Sequence, residues 1–218
     1  MKAVGQSSIE RLLSISSDPL ADCPPAPPKL LDSYPLGNEL FRMLQLKNGF
    51  YAFEASLHVF PLSSSDCMSL EEWNSDSLWR GGYGDLAGGL LFFAEDVFQD
   101  QFCLSSQGVL RFNSECGTTS AMASSVEEWA NKVLQDYRQE TGWPLASEWQ
   151  KAHGPLALGK RLMPKIPFFL GGAYSLDNLW AGEAVAGMRF KADLALKTKD
   201  LPEGSKVRLV VGKDPNIQ

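Results

Sequence analysis

Glu95, Asp96 and Asp100 fall within six residues of one another, inside the segment LLFFAEDVFQDQFCLSSQGVLRF (Leu90–Phe112). Paired carboxylates are the equipment of general acid–base and glycoside chemistry. Acids gathered around a turn are also a start on a divalent-cation site. Adjacent residues at the end of a strand point to opposite faces, so Glu95 and Asp96 do not address one scissile bond. The expectation is therefore a loop that presents Glu95, Asp96 and Asp100 for recognition. Asp85 and the aromatic residues Trp79 and Tyr83, in the preceding Gly-rich stretch, are further candidates for contact with a partner.

Other chemistry finds little purchase. His58 and His153 are the only histidines, so a Ser or Cys triad must recruit one of them. Neither lies in a nucleophile context, and no GxSxG motif occurs. His58, within the apolar run FYAFEASLHVFPL (Phe50–Leu62), reads as a hydrogen-bonded core or edge residue. The four cysteines (Cys23, Cys67, Cys103, Cys116) lack CxxC spacing and read as reduced, mostly buried thiols, without a zinc ligand set. Glycine pairs at Gly81-Gly82, Gly88-Gly89 and Gly171-Gly172 are not followed by the Lys-Ser/Thr of a phosphate loop. The expectation is a non-enzymatic chain with no catalytic residues, no metal and no cofactor.

The elements that must position the acids follow from patterning. Leu90–Ala94 is apolar on both faces and reads as a central strand. Gln101–Ser105 and Val109–Phe112 are strands joined by the turn Ser105–Gly108. A helix over Val126–Glu140 opens with a capping box (Ser125, Glu128) and turns Val126, Trp129, Ala130, Val133, Leu134 and Tyr137 to one face. Further helices are expected at Ile9–Ile15, at Asn38–Lys47 with Asn38 as cap, from Ser69 with Glu72 closing a capping box, and at Leu145–Ala152. CPPAPPK (Cys23–Lys29) favours an extended tether. Strands are expected at Ile166–Tyr174, broken by Gly-Gly, within Ala184–Thr198 with Met188 and Phe190 on one face, and at Lys206–Val211.

Charge is distributed unevenly. Residues 66–100 hold eight acids against Arg80 alone, whereas residues 151–218 hold eleven Lys/Arg against six acids, within a net charge of −6. An acidic middle is a poor surface for nucleic acid and a good one for a basic protein partner. Hydrophobic content of 44% supports a sizeable core, and no window approaches a membrane span. The first twenty residues contain no apolar secretion-signal core, so the expected location is cytoplasmic, away from membranes. The class expected is α+β, with a mixed, mostly antiparallel sheet and helices packed on one side.

NGF at Asn48–Phe50, the run Leu90–Leu104, the turn at Gly108 and the helix Ser125–Tyr137 with Trp129 together resemble the SUKH superfamily, over about Asn38 to Glu140. PFFLGG (Pro167–Gly172), DNLW (Asp177–Trp180) and LPEG (Leu201–Gly204) are similar to a C-terminal extension of longer bacterial members. With the patterning, the expected organisation is an N-terminal segment with a Pro-rich tether over 1–36, a SUKH-like α+β core over 37–160 and a β-rich extension over 161–218 packed on that core. The resemblance also implies an immunity protein that binds and neutralises a cognate toxin, often a nuclease. The alternative is a regulatory scaffold of the yeast cell-wall-regulator type. Gln99 departs from the pattern, since a glycine is expected in that turn.

Overall fold

The computed structural model describes residues 5–207, apart from 23, 25, 65 and 203. At its centre six strands lie side by side in chain order: β1 (Phe50–Ala52), β2 (Leu57–Val59), β3 (Leu91–Asp96), β4 (Gln101–Ser105), β5 (Gly108–Asn113) and β6 (Thr118–Ala123). Short connections force neighbours to run oppositely, and every pair in the sheet is antiparallel, so the parallel member implied by a mixed sheet is not present among the described residues. All six residues of β3 are buried, as a doubly apolar central strand requires. The fold class is α+β.

The apolar run Phe50–Leu62 holds a hairpin of β1 and β2. Its turn holds Phe53, Glu54 and Ala55 at φ of 52°, 54° and 64°. Three consecutive left-handed non-glycine residues cost roughly 1–2 kcal/mol each, and no Asn-Gly or Asp-Gly announces them. The turn persists because distant side chains hold its carbonyls: Gln150 donates to Glu54 O (2.8 Å) and Arg161 to Ala55 O (3.0 Å).

The helices are α1 (Ser8–Ser14), α2 (Gly37–Leu46), α3 (Leu70–Trp73), α4 (Val126–Gln135), α5 (Tyr137–Glu140) and α6 (Trp143–His153). The capping box expected at Ser69 and Glu72 closes α3 in both directions. Helix α2 opens one residue earlier than expected, without the Asn38 side-chain cap. The helix expected over Val126–Glu140 breaks at Asp136 (φ −133°, ψ 48°). Beyond the break Tyr137 stacks on Phe53 at 4.8 Å, which ties α5 to the strained hairpin.

Helix α4 covers one face of the sheet, where Trp129 meets Phe93 and Phe102 edge-on at 5.0 and 5.7 Å. The helical layer expected on one side is joined by a second cover on the other face. There Trp73 of α3, together with Trp79 and Tyr83, packs in a chain of aromatic contacts onto Phe92 and Phe112. A 3-10 segment over Arg80–Ala87 carries Tyr83 into this layer.

Beyond α6 the chain departs most from expectation. A two-stranded sheet of β7 (Lys160–Pro164) and β8 (Leu179–Glu183) leads into helix α7 (Ala184–Thr198). Ile166–Tyr174 is not a strand; it is a loop with a 3-10 turn at Phe168–Leu170, stopped by Gly171 at φ 90°. Ala184–Thr198 is a helix rather than a strand. Met188 is buried on the main core, while Phe190, assigned to the same strand face, is half exposed. The strand expected at Lys206–Val211 lies mostly outside the described residues, and Lys206 and Val207 are in neither strand nor helix.

Helix α7 approaches the β3–β4 turn through Gly187. A Cβ there would overlap Gln99 Oε1 and Met163 Sδ. Gly187→Ala is therefore expected to destabilise the fold by about 1–3 kcal/mol, read as a lower denaturation midpoint in urea. A midpoint equal to wild type would mean that Gln99 and Met163 shift aside at a cost no larger than the roughly 1 kcal/mol of helix propensity that alanine gains over glycine.

Candidate functional site

Strand alternation separates the two adjacent acids. Glu95 faces the layer that holds His58, Gln101 and Arg161; Asp96 faces the opposite side, towards Arg111. Neither is presented to solvent: Glu95 is 1% exposed and Asp96 2%. The recognition loop expected from the sequence is instead a braced turn. Asp96 Oδ1 accepts from the amides of Phe98 (2.8 Å) and Asp100 (2.9 Å), and Asp100 Oδ1 accepts from the Ser114 amide (2.9 Å) and hydroxyl (3.1 Å). Gln99 stands in this turn at φ 71°, the conformation for which a glycine was expected. Its side chain donates to Ala184 O at 2.6 Å, an anchor that glycine lacks.

The aromatic candidates are also interior. Trp79 and Tyr83 belong to the core, and the Tyr83 hydroxyl donates to Ser114 O at 2.6 Å. Neither can meet a partner, because the residues between Trp79 and Ala87 wind in a 3-10 path that turns both rings onto the sheet. Asp85 is exposed on that segment. The structure thus brings Asp96 and Asp100 together and leaves Glu95, Asp85, Trp79 and Tyr83 elsewhere.

What gathers around Asp96 and Asp100 is a cleft of ≈ 770 Å³, walled by the β3–β4 turn, by α5 and the start of α6, and by the loop that follows β7. Arg111 of β5 lies at its centre. Its guanidinium meets Asp96 at 2.5 Å, Glu140 at 3.0 Å and Asp100 at 3.4 Å, and also donates to Glu140 O. Glu115 and Glu148 add two more carboxylates to the lining, whereas Arg138 adds one guanidinium, so five acids face two bases. Phe168 and Tyr174 stack at 3.9 Å on one rim, and Phe98 sits edge-on to both. Tyr174 is 70% exposed.

Burial and the neighbouring Asp100 push the Asp96 carboxyl up to about 7, against the pull of Arg111. A carboxyl titrating near neutrality in a cleft has the profile of an acid–base group. Here, however, both oxygens are engaged, two amides on one and Arg111 on the other. Its observed work is to hold the turn and the cleft wall. Lys191 of α7 adds to that brace by donating to Phe98 O and to Ser114 Oγ (3.0 Å).

On the other face of β3 lies a buried charged cluster. Glu95 Oε1 accepts from Arg161 Nε at 2.7 Å and from His58 Nδ1 at 3.3 Å, while Gln101 donates to Oε2 at 3.3 Å and receives the Trp73 indole N–H at 2.9 Å. Burial opposes ionisation of Glu95, but Arg161 and His58 outweigh it and bring the carboxyl down to about 2. Burial lowers His58 to about 4 despite the Glu95 hydrogen bond. Nothing in the sequence joined Arg161 to Glu95, since 66 positions separate them and Arg161 opens a strand of another sheet. His58, read as a hydrogen-bonded core residue, is one.

The unfolded chain takes a proton at His58 near pH 6.5, the folded chain only near 4, so acidification weakens the fold through this group. Asp96 acts with the opposite sign, because its folded value of about 7 exceeds its ordinary 3.8. The difference between wild type and His58→Gln isolates the histidine. Between pH 7 and 5 wild type is expected to lose about 2 kcal/mol relative to the variant, measured by urea unfolding. A constant difference would show that folded His58 accepts its proton as readily as the unfolded chain does.

His153, the other histidine, stacks on Trp149 and lies 2.9 Å from Trp149 O within its own helix. Cys67, Cys103 and Cys116 are free, and burial pushes the Cys103 thiol up to about 12. Among the described residues no group of three or more His, Cys, Asp and Glu is arranged to hold a metal ion. No helix among them is long and apolar enough to cross a membrane.

No protein-family model matches the chain, and no curated protein is similar to it. Among solved structures it is similar to the crystal structure of Atu4351 from Agrobacterium tumefaciens, with a TM-score of 0.58 at 16% identity. The likeness covers 84% of this chain and 88% of that one, and what the two share is the fold.

Proposed function

We propose that the chain is a non-enzymatic protein-binding module whose acidic cleft receives a basic segment of a partner. The observation that carries this reading is the cleft itself: five acids line it against two guanidinium groups, with Asp100, Glu140 and Glu148 the accessible ones, and the exposed Tyr174 stacks on half-buried Phe168 at its border. Its carboxylates can meet the Lys and Arg side chains with which a nuclease holds phosphate, and such complementarity speeds encounter and fixes register. Tyr174, exposed and held by its stack on Phe168, supplies rigid apolar area at the edge of that charge, a composition common at binding hot spots. Together with the SUKH resemblance, this favours an immunity protein that occupies a toxin's basic site.

The test is co-expression with the products of the genes neighbouring this one, screened for toxicity, followed by calorimetry of the purified pair. A complex that relieves toxicity is expected. Glu148→Lys combined with Gln139→Lys, both exposed on the cleft wall, should weaken it at least about tenfold and reduce its salt dependence. Persistent toxicity with no complex overturns the immunity reading. A complex indifferent to both substitutions places the interface elsewhere.

A further inference from the structure

The acidic cleft carries more negative charge than its own arginines answer. Arg111 is committed to Asp96, Asp100 and Glu140, and Arg138 lies over the Trp143 ring at 5.3 Å. Glu115 and Glu148 line the same cleft and form no ion pair among the described residues. Glu115 is the more telling of the two, because it is only 5% exposed. A carboxylate withdrawn from water needs a cation or donors in exchange. Its Oε2 accepts from the Phe169 amide at 2.9 Å, whereas Oε1 has no partner among the described residues and keeps accessible surface. The β5–β6 turn fixes this side chain, since Asn113 Oδ1 accepts from the Glu115 and Cys116 amides at 3.0 Å each. Lys191 stands behind the wall but donates to Phe98 O and Ser114 Oγ rather than to the carboxylate.

Beside this charge an aromatic face is open. Phe168 covers one side of the Tyr174 ring, nearly parallel at 3.9 Å, and Phe98 meets it edge-on. Tyr174 is nonetheless 70% exposed, so the other side of the ring is free to be covered. Partial burial, and then Asp100, Glu115 and Asp96, hold its hydroxyl above the usual tyrosine range, which puts these acids within electrostatic reach of the ring. Asp100 is the accessible member. Its side chain is 22% exposed, and Oδ2 meets Arg111 only at 3.4 Å.

A flat face beside unanswered negative charge suits a guanidinium. The group is planar, forked and weakly hydrated, so it can lie on a ring while its edge meets a carboxylate. An ammonium is a strongly hydrated point charge and uses the ring less well. The cleft's own arginines display the two contacts separately, Arg111 against carboxylates and Arg138 over an indole. We propose that the cleft selects an arginine of the docked segment, its guanidinium stacked on the open face of Tyr174 and paired with Asp100 in the field of Glu115. This inference rests on the cleft being a docking site for a basic segment, and names the residue that fills it.

The test uses single blocked residues and needs no partner. Nα-acetyl-arginine amide is titrated at low salt beside its lysine and citrulline counterparts; citrulline keeps the planar shape and lacks the charge. Tyrosine ring ¹H–¹³C spectra follow the contact, because the chain has five tyrosines and the Tyr174 signal is identified by its loss in Tyr174→Phe. The arginine probe is expected to move that signal saturably and to bind at least about fivefold tighter than lysine or citrulline. Glu115→Gln keeps an oxygen for the Phe169 amide and removes only charge, and should weaken the arginine probe at least about threefold. A Tyr174 signal unmoved by millimolar arginine probe overturns the inference. So does a lysine or citrulline probe that binds as tightly, or a Glu115→Gln variant that binds arginine as wild type does. A partner complex that forms while the arginine probe leaves Tyr174 unmoved sinks this inference and keeps the docking reading. An arginine probe that binds as expected while co-expression yields no complex supports the arginine site and sinks the immunity reading alone.

Discussion

Arg161→Met is expected to cost the fold about 3–5 kcal/mol, the range for removing one partner of a buried ion pair. Arg161 and Glu95 are each 2% exposed, and the guanidinium is the only full positive charge bonded to that carboxylate. Methionine fills much of the same volume, so the loss isolates charge and hydrogen bonding from packing. What remains is a buried carboxylate held by one neutral imidazole and one amide, and its pKa should climb from about 2. A second effect is mechanical. Without the Nη1 bond to Ala55 O, Gln150 is the one remaining distant side chain that hydrogen-bonds a carbonyl of the left-handed turn Phe53–Ala55 among the described residues. Adding Glu95→Gln to Arg161→Met should recover most of the loss, because the buried charge then disappears with its partner. Arg161→Lys should recover little, since one ammonium cannot reproduce the Nε and Nη1 fork. Urea denaturation of wild type, Arg161→Met, Glu95→Gln and the double variant gives the coupling. A loss under about 1 kcal/mol for Arg161→Met would mean that water already reaches this cluster.

The parts of this architecture legible in the sequence are those fixed by local rules. Alternation and the Ser105–Gly108 turn identify the β3–β5 meander, and the capping residues Ser69 and Ser125 place α3 and the start of α4. The misread parts were decided by partners distant in the chain. The β1–β2 turn has no turn-forming sequence and exists because Gln150 and Arg161 hold it. Ala184–Thr198 contains apolar residues at both two- and four-residue spacings, and contact with Gly82, Gln99 and Gln101 selects the helical set. The acids were found by composition, but their direction was not. A hydropathy pattern cannot say that Asp96 turns inward to Arg111, because the guanidinium that draws it in arrives from another strand. Gln99 is the instructive case. The turn does need a left-handed residue, as the missing glycine implied, and a glutamine meets the need because its side chain is tied to Ala184 of α7.

Arg111→Met should destabilise the protein by about 2–3 kcal/mol, less than Arg161→Met because Arg111 is 25% exposed and partly screened. The substitution leaves Asp96, Asp100 and Glu140 facing one another across the cleft with their shared cation gone. It also frees Glu140 O at the end of α5. Repulsion between the turn and α5 should then loosen the wall that the proposed docking cleft requires. Salt separates this from a simple packing loss: raising ionic strength should return part of the stability to Arg111→Met while changing wild type little. Asp96→Asn in the same background should return more, because the most buried of the three carboxylates carries the largest unpaired cost. Partner affinity need not follow stability. The cleft of Arg111→Met is more negative, so a partner that reads charge alone should bind it at least as well as wild type at low salt. A partner that reads the shape held by Arg111 should bind it worse. If Arg111→Met matches wild type in stability at every salt concentration, the three carboxylates are independently solvated, and the cleft is not held together by the charge network that its geometry displays.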